Sequence, residues 1–186
     1  LLSARSVKLA TQGVALVHNL IAGALTAVGK GTDNGSRTLK SPRYTPYHVP
    51  HRTEIAGFMS FLHGDMRFYN NIFVQKPVRP GMAAVREAVK DSPWADGNLT
   101  VGTAPYEGYP SWEAYIAMFE GYCGMGAMGD RDKYYYKLPV WAAGNVYLGG
   151  AKAMSSEKDA IVDAQSDVHV AVAEENGAWR LDTNLY

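Results

Sequence analysis

The chain has 186 residues, 47% of them hydrophobic, and its 18 basic residues balance its 18 acidic ones. A chain of this length can bury a core, and its zero formal charge favours neither nucleic acid nor an anionic membrane as a partner. No apolar run approaches the length of a membrane span. The single cysteine, Cys123, excludes an internal disulfide framework and a thiolate metal cluster.

The first part of the chain predicts a strand followed by a long polar loop. Residues 13–21 read as a strand, and residues 23–28 continue it or turn a corner. Residues 29–46 are rich in Gly, Thr, Asp, Asn and Ser and contain two prolines, which predicts a loop. The polar character continues to residue 54, so we expect one loop over residues 29–54, with a new strand beginning at Ile55. Loops of such length are usually functional or disordered.

Residues 55–74 consist of short apolar runs, IAGFMSFL and FYNNIFV, joined by a turn at His63-Gly64-Asp65, and they predict strands. The segments 17–21, 69–73 and 143–147 share a pattern in which an Asn precedes two apolar residues. Asn tolerates the left-handed turn conformation, and its amide can bond the same group on a stacked neighbour. A recurring turn–Asn–strand unit indicates the corners of a β-solenoid. An ordinary all-β sheet with Asn turns is the alternative.

Residues 76–137 depart from this pattern and predict an insertion with one or two short helices. Met82, Val85 and Val89 have helical spacing, and Ser92-Pro93 stops that helix. Residues 94–108 read as a loop, as do residues 124–132. Ser111 is a suitable N-cap for a second helix with Glu113 in its first turn.

The last part, residues 138–186, predicts a further solenoid strand at residues 140–148 and a C-terminal hairpin. Residues 152–167 are polar and irregular. Alternating apolar residues from Val168 onward meet an Asn-Gly pair at residues 176–177, which is a strong hairpin signal. The chain thus divides into solenoid coils at 1–75, an insertion at 76–137 and a β segment at 138–186.

Two polar groups are candidates for chemistry. His48, His51 and Glu54 lie in HVPHRTE, where the spacing is compatible with metal ligands, but Pro50 prevents the helix that usually presents them. These three side chains either face a substrate or bond the backbone of their own loop. Asp33, Glu54 and Asp65 are the acidic candidates, and Asp33 and Glu54 have a coil-like separation. We expect no metal and no cofactor, because no calcium loop, phosphate-binding Gly loop or Gly-x-Ser-x-Gly elbow is present.

The sequence also resembles a known family. The segments VHNLIAG, YHVPHRTEIAGF and HGDMRFYNNIF, with weaker similarity at SWEAYI and NVYLGGA, resemble the C-terminal part of the β-helical β-xylosidases, glycoside hydrolase family 120. The resemblance implies a mostly β fold that consists of the terminal coils of a right-handed parallel β-helix. It also implies a retaining glycosidase that releases xylose from short xylo-oligosaccharides.

In that family the catalytic Asp and Glu precede the VHNLIAG segment. The resemblance therefore implies that this chain is a fragment that is inactive alone, with no catalytic residue of its own and with upstream coils as its partner. On this ground Asp33 and Glu54 are rejected as the catalytic pair, whereas His48, His51 and Glu54 remain predicted substrate-binding residues. A pectin- or uronate-acting β-helix enzyme and a non-catalytic carbohydrate-binding or structural β-helix are the alternatives.

Overall fold

A computed structural model describes residues 5–9, 11–27, 43–61, 63–88, 99–120 and 137–185. These residues are mostly β, with few helical residues and several parallel sheets. The strands are β1 Arg5–Leu9, β2 Gln12–Val17, β3 Leu20–Ile21, β4 Ala24–Ala27, β5 Arg43–His48, β6 Ile55–Phe61, β7 Gly64–Tyr69, β8 Ile72–Val74, β9 Val140–Ala143, β10 Val146–Leu148, β11 Ile161–Asp163, β12 Val170–Glu175 and β13 Ala178–Thr183. The helices are α1 Pro80–Ala88 and α2 Trp112–Ala117, with a 3₁₀ turn at Ala104–Tyr106.

Three strand–bend–strand units stack in parallel and in register. The units are β2–β3, β7–β8 and β9–β10, and they build a sheet in the order β2-β7-β9 and another in the order β3-β8-β10-β11. Strands β1 and β4 pair in parallel in a third sheet. Each unit therefore presents equivalent positions one above the other.

Three asparagines form a hydrogen-bonded ladder at the bend between the two strands of each unit. Asn71 Nδ2 donates to Asn145 Oδ1 at 2.9 Å, and Asn19 Nδ2 donates to Asn71 Oδ1 at 3.1 Å. The predicted stacking of these Asn side chains is confirmed. The left-handed conformation, however, belongs to the residue before each ladder Asn, with φ of 57° at His18, 54° at Asn70 and 65° at Gly144.

The core lies between the stacked sheets and is filled by large apolar side chains. Met66 and Phe68 on β7 and Phe73 on β8 are fully buried, and the Phe73 and Tyr147 rings stack with their centroids 5.0 Å apart. Burial alternates along β7 because successive side chains of a strand point to opposite faces. The side chains of Asp65, Arg67 and Tyr69 therefore lie on the outer face of the sheet.

The predicted loop over residues 29–54 requires correction. Residues 28–42 lie outside the described part of the chain, but Arg43–His48 is a strand that pairs antiparallel with β6. Pro46 suggested a loop, yet a two-stranded sheet has an edge on which the missing N–H of a proline is tolerated. Strand β6 likewise does not begin a stacked unit, and its Ile55 and Phe58 are exposed.

The region 76–137 contains both predicted helices, α1 and α2, and Ser111 Oγ accepts a hydrogen bond from Ala114 N at 3.1 Å as an N-cap. The predicted loop at 94–108 requires correction. Residues 94–98 and 124–132 lie outside the described residues, but Val101 is buried and Gly102 pairs in parallel with Lys152. The buried Tyr106 ring packs against Phe68 at 5.1 Å. This segment therefore contributes to the core.

The C-terminal region contains the predicted hairpin, in which β12 and β13 pair antiparallel around Asn176 and Gly177. The interval 152–167, predicted to be irregular, includes strand β11, which extends the β3-β8-β10 sheet. Its apolar positions Ile161 and Val162 are exposed. None of the helices among the described residues is long and apolar enough to cross a membrane.

Candidate functional site

The outer face of the β2-β7-β9 sheet carries a polar and aromatic cluster. The register aligns Ala15, Arg67 and Trp141 across the three strands. These positions alternate with the buried Met66, Phe68 and Ala142, so they lie on the side of the sheet away from the core. We name the set Asp65, Arg67 and Trp141 the outer cluster.

The side chains of the outer cluster hold one another in place. An Arg67 guanidinium nitrogen lies 2.6 Å from Asp65 Oδ1, and Arg67 Cζ lies 4.7 Å from the centre of the Trp141 ring. The Arg67 and Asp65 side chains are 44% and 33% exposed, so water screens the ion pair and its contribution to stability is small. The charge contact and the cation–π contact place the guanidinium between the Asp65 carboxylate and the Trp141 ring.

This arrangement suits a polyhydroxylated ring. An indole offers a flat apolar surface with an electron-rich face, a guanidinium offers fixed N–H donors, and a carboxylate accepts hydrogen bonds. A sugar has apolar C–H faces and hydroxyl groups around its rim, and it can use all three kinds of contact at once. A rigid sheet supports the cluster, which limits the entropy lost when a ligand binds.

Asp65 is the one member of the outer cluster among the residues predicted from the sequence, although the sequence also contains a signal for the other two. Counting four residues back from the ladder residues Asn19, Asn71 and Asn145 gives positions 15, 67 and 141, which are the aligned positions. The repeating Asn pattern therefore predicts which residues are aligned across β2, β7 and β9.

A buried histidine fixes the corner that precedes β7. His63 is fully buried, with Nε2 3.1 Å from Leu9 O and Nδ1 2.7 Å from the Tyr109 hydroxyl. A carbonyl oxygen only accepts, so Nε2 carries a proton and donates to Leu9 O. Burial raises the pKa of Tyr109 to about 12, and Lys137 Nζ lies 4.4 Å from the centre of its ring. His63 thus ties the corner to the segment that contains residue 109.

A second polar network closes the Asn ladder. Glu157 Oε1 accepts from Asn145 Nδ2 at 2.7 Å, and the Tyr147 hydroxyl donates to Glu157 Oε2 and lies 2.8 Å from Thr103 Oγ1. Burial first, and then the hydrogen bond to Glu157, raise the pKa of Tyr147 well above its ordinary value. The carboxylate of Glu157 takes the place that a fourth Asn would occupy, because the equivalent position in the next unit is Ala160.

The predicted site residues His48, His51 and Glu54 lie together at the tip of the β5–β6 hairpin, where all three are exposed. His48 Nδ1 is 3.0 Å from Thr53 O, so this ring contacts its own turn. His51 has a φ of 61°, and Glu54 Oε2 is 3.8 Å from a guanidinium nitrogen of Arg52. The two acidic candidates Glu54 and Asp65 therefore lie in different places, Glu54 at the hairpin tip and Asp65 in the outer cluster.

The remaining acidic candidate, Asp33, lies outside the described residues. In the part of the chain that the structure describes, no group of three or more His, Cys, Asp or Glu side chains is arranged to hold a metal ion.

Comparison with known proteins gives one structural relationship. No protein-family model matches the chain, and no curated protein matches it. A solved structure of XylC in complex with xylose is similar to it, with a TM-score of 0.64 and 30% sequence identity. The similarity covers 96% of this chain and 23% of the XylC chain. The chain therefore spans about a quarter of the length of XylC, and its fold is similar to that of one part of that protein.

Proposed function

We propose that this chain is part of a xylosidase-like glycoside hydrolase. The observation that carries the proposal is the similarity to XylC in its xylose complex, which extends over 96% of the chain at 30% identity. Because 23% of the XylC chain is covered, the remainder of such an enzyme is contributed by other residues.

In this proposal the stacked units are terminal coils of a right-handed parallel β-helix. The parallel register of β2-β7-β9 and β3-β8-β10-β11, together with the Asn ladder, supports it. The proposed coils fall within residues 1–75, where the β5–β6 hairpin interrupts them, and resume within residues 138–186, with the region 76–137 as an insertion between them. Upstream coils of the same longer chain are the proposed partner.

The proposed reaction is that of a retaining β-xylosidase of glycoside hydrolase family 120 acting on short xylo-oligosaccharides. A retaining enzyme needs one carboxylate as nucleophile and another as acid and then base. Asp65 is engaged by Arg67 at 2.6 Å, and Glu54 lies at an exposed hairpin tip beside Arg52. The family resemblance implies that the catalytic Asp and Glu precede the VHNLIAG segment, and on that basis we assign both catalytic roles to residues of the longer enzyme and propose contact with the sugar as the role of this part.

We assign xylose contact to the outer cluster. Trp141 provides the ring surface that Arg67 does not cover, and Arg67 and Asp65 provide a donor and an acceptor for ring hydroxyls. The hairpin tip is a second proposed contact, in which His48, His51 and Glu54 bind hydroxyls of a substrate held by the longer enzyme.

Sugar titration of two tryptophan variants tests the outer cluster. Xylose and xylobiose are titrated into the wild-type chain, Trp141→Ala and Trp179→Ala, with binding followed by calorimetry or ligand-observed NMR. Trp179 is a matched control because it is 73% exposed on the β12–β13 hairpin, away from the cluster. We expect about tenfold weaker binding for Trp141→Ala, since a stacked ring contributes roughly 0.5–1.5 kcal/mol beyond its buried area. Equal affinities in the two variants would contradict the assignment.

A further inference from the structure

A pocket of about 350 Å³ lies apart from the outer cluster, where strand β8 gives way to helix α1. Its lining residues are Ala22, Gly23, residues 75–79, Met82, Leu99 and Val101. Pockets that bind small ligands begin at about 300 Å³, so the space is large enough for one sugar ring.

Gln75 builds the pocket, and both polar groups of its side-chain amide are hydrogen-bonded within the protein. Its Oε1 accepts from Val101 N at 2.8 Å, and its Nε2 lies 3.0 Å from Lys76 O and 3.4 Å from Leu99 O. These bonds tie two walls of the pocket together across an apolar surface that includes Leu99 and Val101. The pocket is therefore formed before any ligand arrives.

The described lining of the pocket is positively charged. Lys76 and Arg79 both belong to it, and none of the other lining residues that the structure describes is acidic. Lys76 Nζ donates to Val170 O at 2.9 Å, and neither cation is paired with a carboxylate among the described residues. Helix α1 begins directly after Arg79 and has no acidic residue in its first turn, so the positive end of its dipole adds to the field.

We infer that this pocket binds a carboxylated sugar, with the carboxylate at Arg79 and Lys76 and the ring against Leu99 and Val101. A guanidinium can bind a carboxylate through two parallel N–H bonds. The anion preference follows from the charge of the lining, and only the choice of a sugar as the body of the ligand rests on the proposed function. Such a pocket would hold an acidic branch of a xylan-type oligosaccharide.

Glucuronate and xylose form a matched pair of probes. The two sugars have the same ring hydroxyl configuration, and glucuronate adds a carboxylate group. We expect the wild-type chain to bind glucuronate more tightly than xylose at this pocket, and the difference to shrink as salt is raised, because exposed charges are screened. The salt series needs no variant and keeps the test valid if a substitution disturbs folding.

Two matched substitutions locate the binding. Arg79→Gln should weaken glucuronate binding about tenfold or more and leave xylose binding unchanged. Arg180→Gln removes the same charge from the β12–β13 hairpin, where the residue pairs with Glu175 at 3.1 Å, and should change neither. Trp141→Ala should leave glucuronate binding at the pocket intact, so failure of the outer cluster and failure of the pocket give different results.

Three outcomes would overturn the inference. Glucuronate that binds no more tightly than xylose at low salt would remove the role of the carboxylate. Equal effects of Arg79→Gln and Arg180→Gln would place the binding elsewhere. Acetate or inorganic phosphate binding as tightly as glucuronate would mean that the pocket takes an anion and does not recognise a sugar.

Discussion

Removal of the central ladder residue by Asn71→Ala should destabilise the protein strongly. The Asn71 side chain is fully buried and makes four hydrogen bonds: to Leu16 O at 2.9 Å and Asn145 Oδ1 at 2.9 Å as donor, and from Asn19 N at 3.0 Å and Asn19 Nδ2 at 3.1 Å as acceptor. Alanine leaves the part-buried Leu16 O and Asn19 N without this partner and removes one donor from the buried Asn145 Oδ1. Each buried polar group left unsatisfied costs about 1–3 kcal/mol, so we expect a loss of roughly 2–5 kcal/mol.

Urea denaturation of Asn71→Ala and Asn19→Ala measures this loss against the end of the ladder. Asn19 is only partly buried, and its Nδ2 donates to Val17 O and Asn71 Oδ1, so water can replace part of what alanine removes. We expect about 1 kcal/mol for Asn19→Ala, with similar denaturant slopes for both variants. If Asn71→Ala cost no more than Asn19→Ala, the ladder would not contribute through buried hydrogen bonds and the reasoning would be wrong.

Three further predictions concern acid sensitivity, the hairpin tip and catalysis. Glu107 accepts hydrogen bonds from Ser155 Oγ and Ser155 N, and these bonds lower the pKa of its carboxyl group below 4.5. The stability that the bonds contribute is therefore present above about pH 4.5 and is lost as the pH falls through the lower pKa of the folded state. Ser155→Ala should therefore lose less melting temperature than wild type between pH 7 and pH 3, and an unchanged loss would contradict this. In the longer enzyme, each of the variants His48→Ala, His51→Asn and Glu54→Gln should lower kcat about ten- to a hundredfold, corresponding to roughly 1–3 kcal/mol per substrate contact. Asn is chosen at residue 51 because it tolerates the left-handed backbone conformation found there. Variants with normal turnover but a lower Tm would show that the hairpin tip has only a structural role. The 186-residue chain should not hydrolyse nitrophenyl xyloside, and turnover abolished by Asp33→Ala or Glu54→Ala would place the catalytic pair within it.

The features that could be predicted from the sequence are those that depend on short sequence motifs. The bends before Asn19, Asn71 and Asn145 recur as short motifs, and the ladder follows from their repetition. The C-terminal hairpin depends on the Asn-Gly pair at its turn. The hairpin can be predicted from residues that are neighbours in the sequence, and the ladder can be predicted from the repetition of one short motif.

The features that could not be predicted depend on distant partners. Val101 N donates to the Gln75 side chain, and Gly102 pairs with Lys152. This segment is therefore buried by contacts with residues distant in the sequence, although its sequence neighbours are polar. Strand β5 forms because β6 lies antiparallel to it, which outweighs the signal of Pro46. Glu157 likewise becomes part of the ladder only when Asn145 lies beside it.

The ladder and the outer cluster are connected through the backbone of the stacked units. Asn71 Nδ2 bonds Leu16 O and Asn145 Nδ2 bonds Phe68 O at 2.8 Å, so each amide fastens its own bend to a strand of the unit beneath it. Phe68 follows Arg67 directly, and Trp141 lies four residues before Asn145. A shift of one residue in register would turn Arg67 inward and Phe68 outward, which would destroy both the core and the cluster. The hydrogen bonds that stabilise the bends therefore also hold Arg67 above Trp141 on one face, and this fixed placement is what the proposed sugar contact requires.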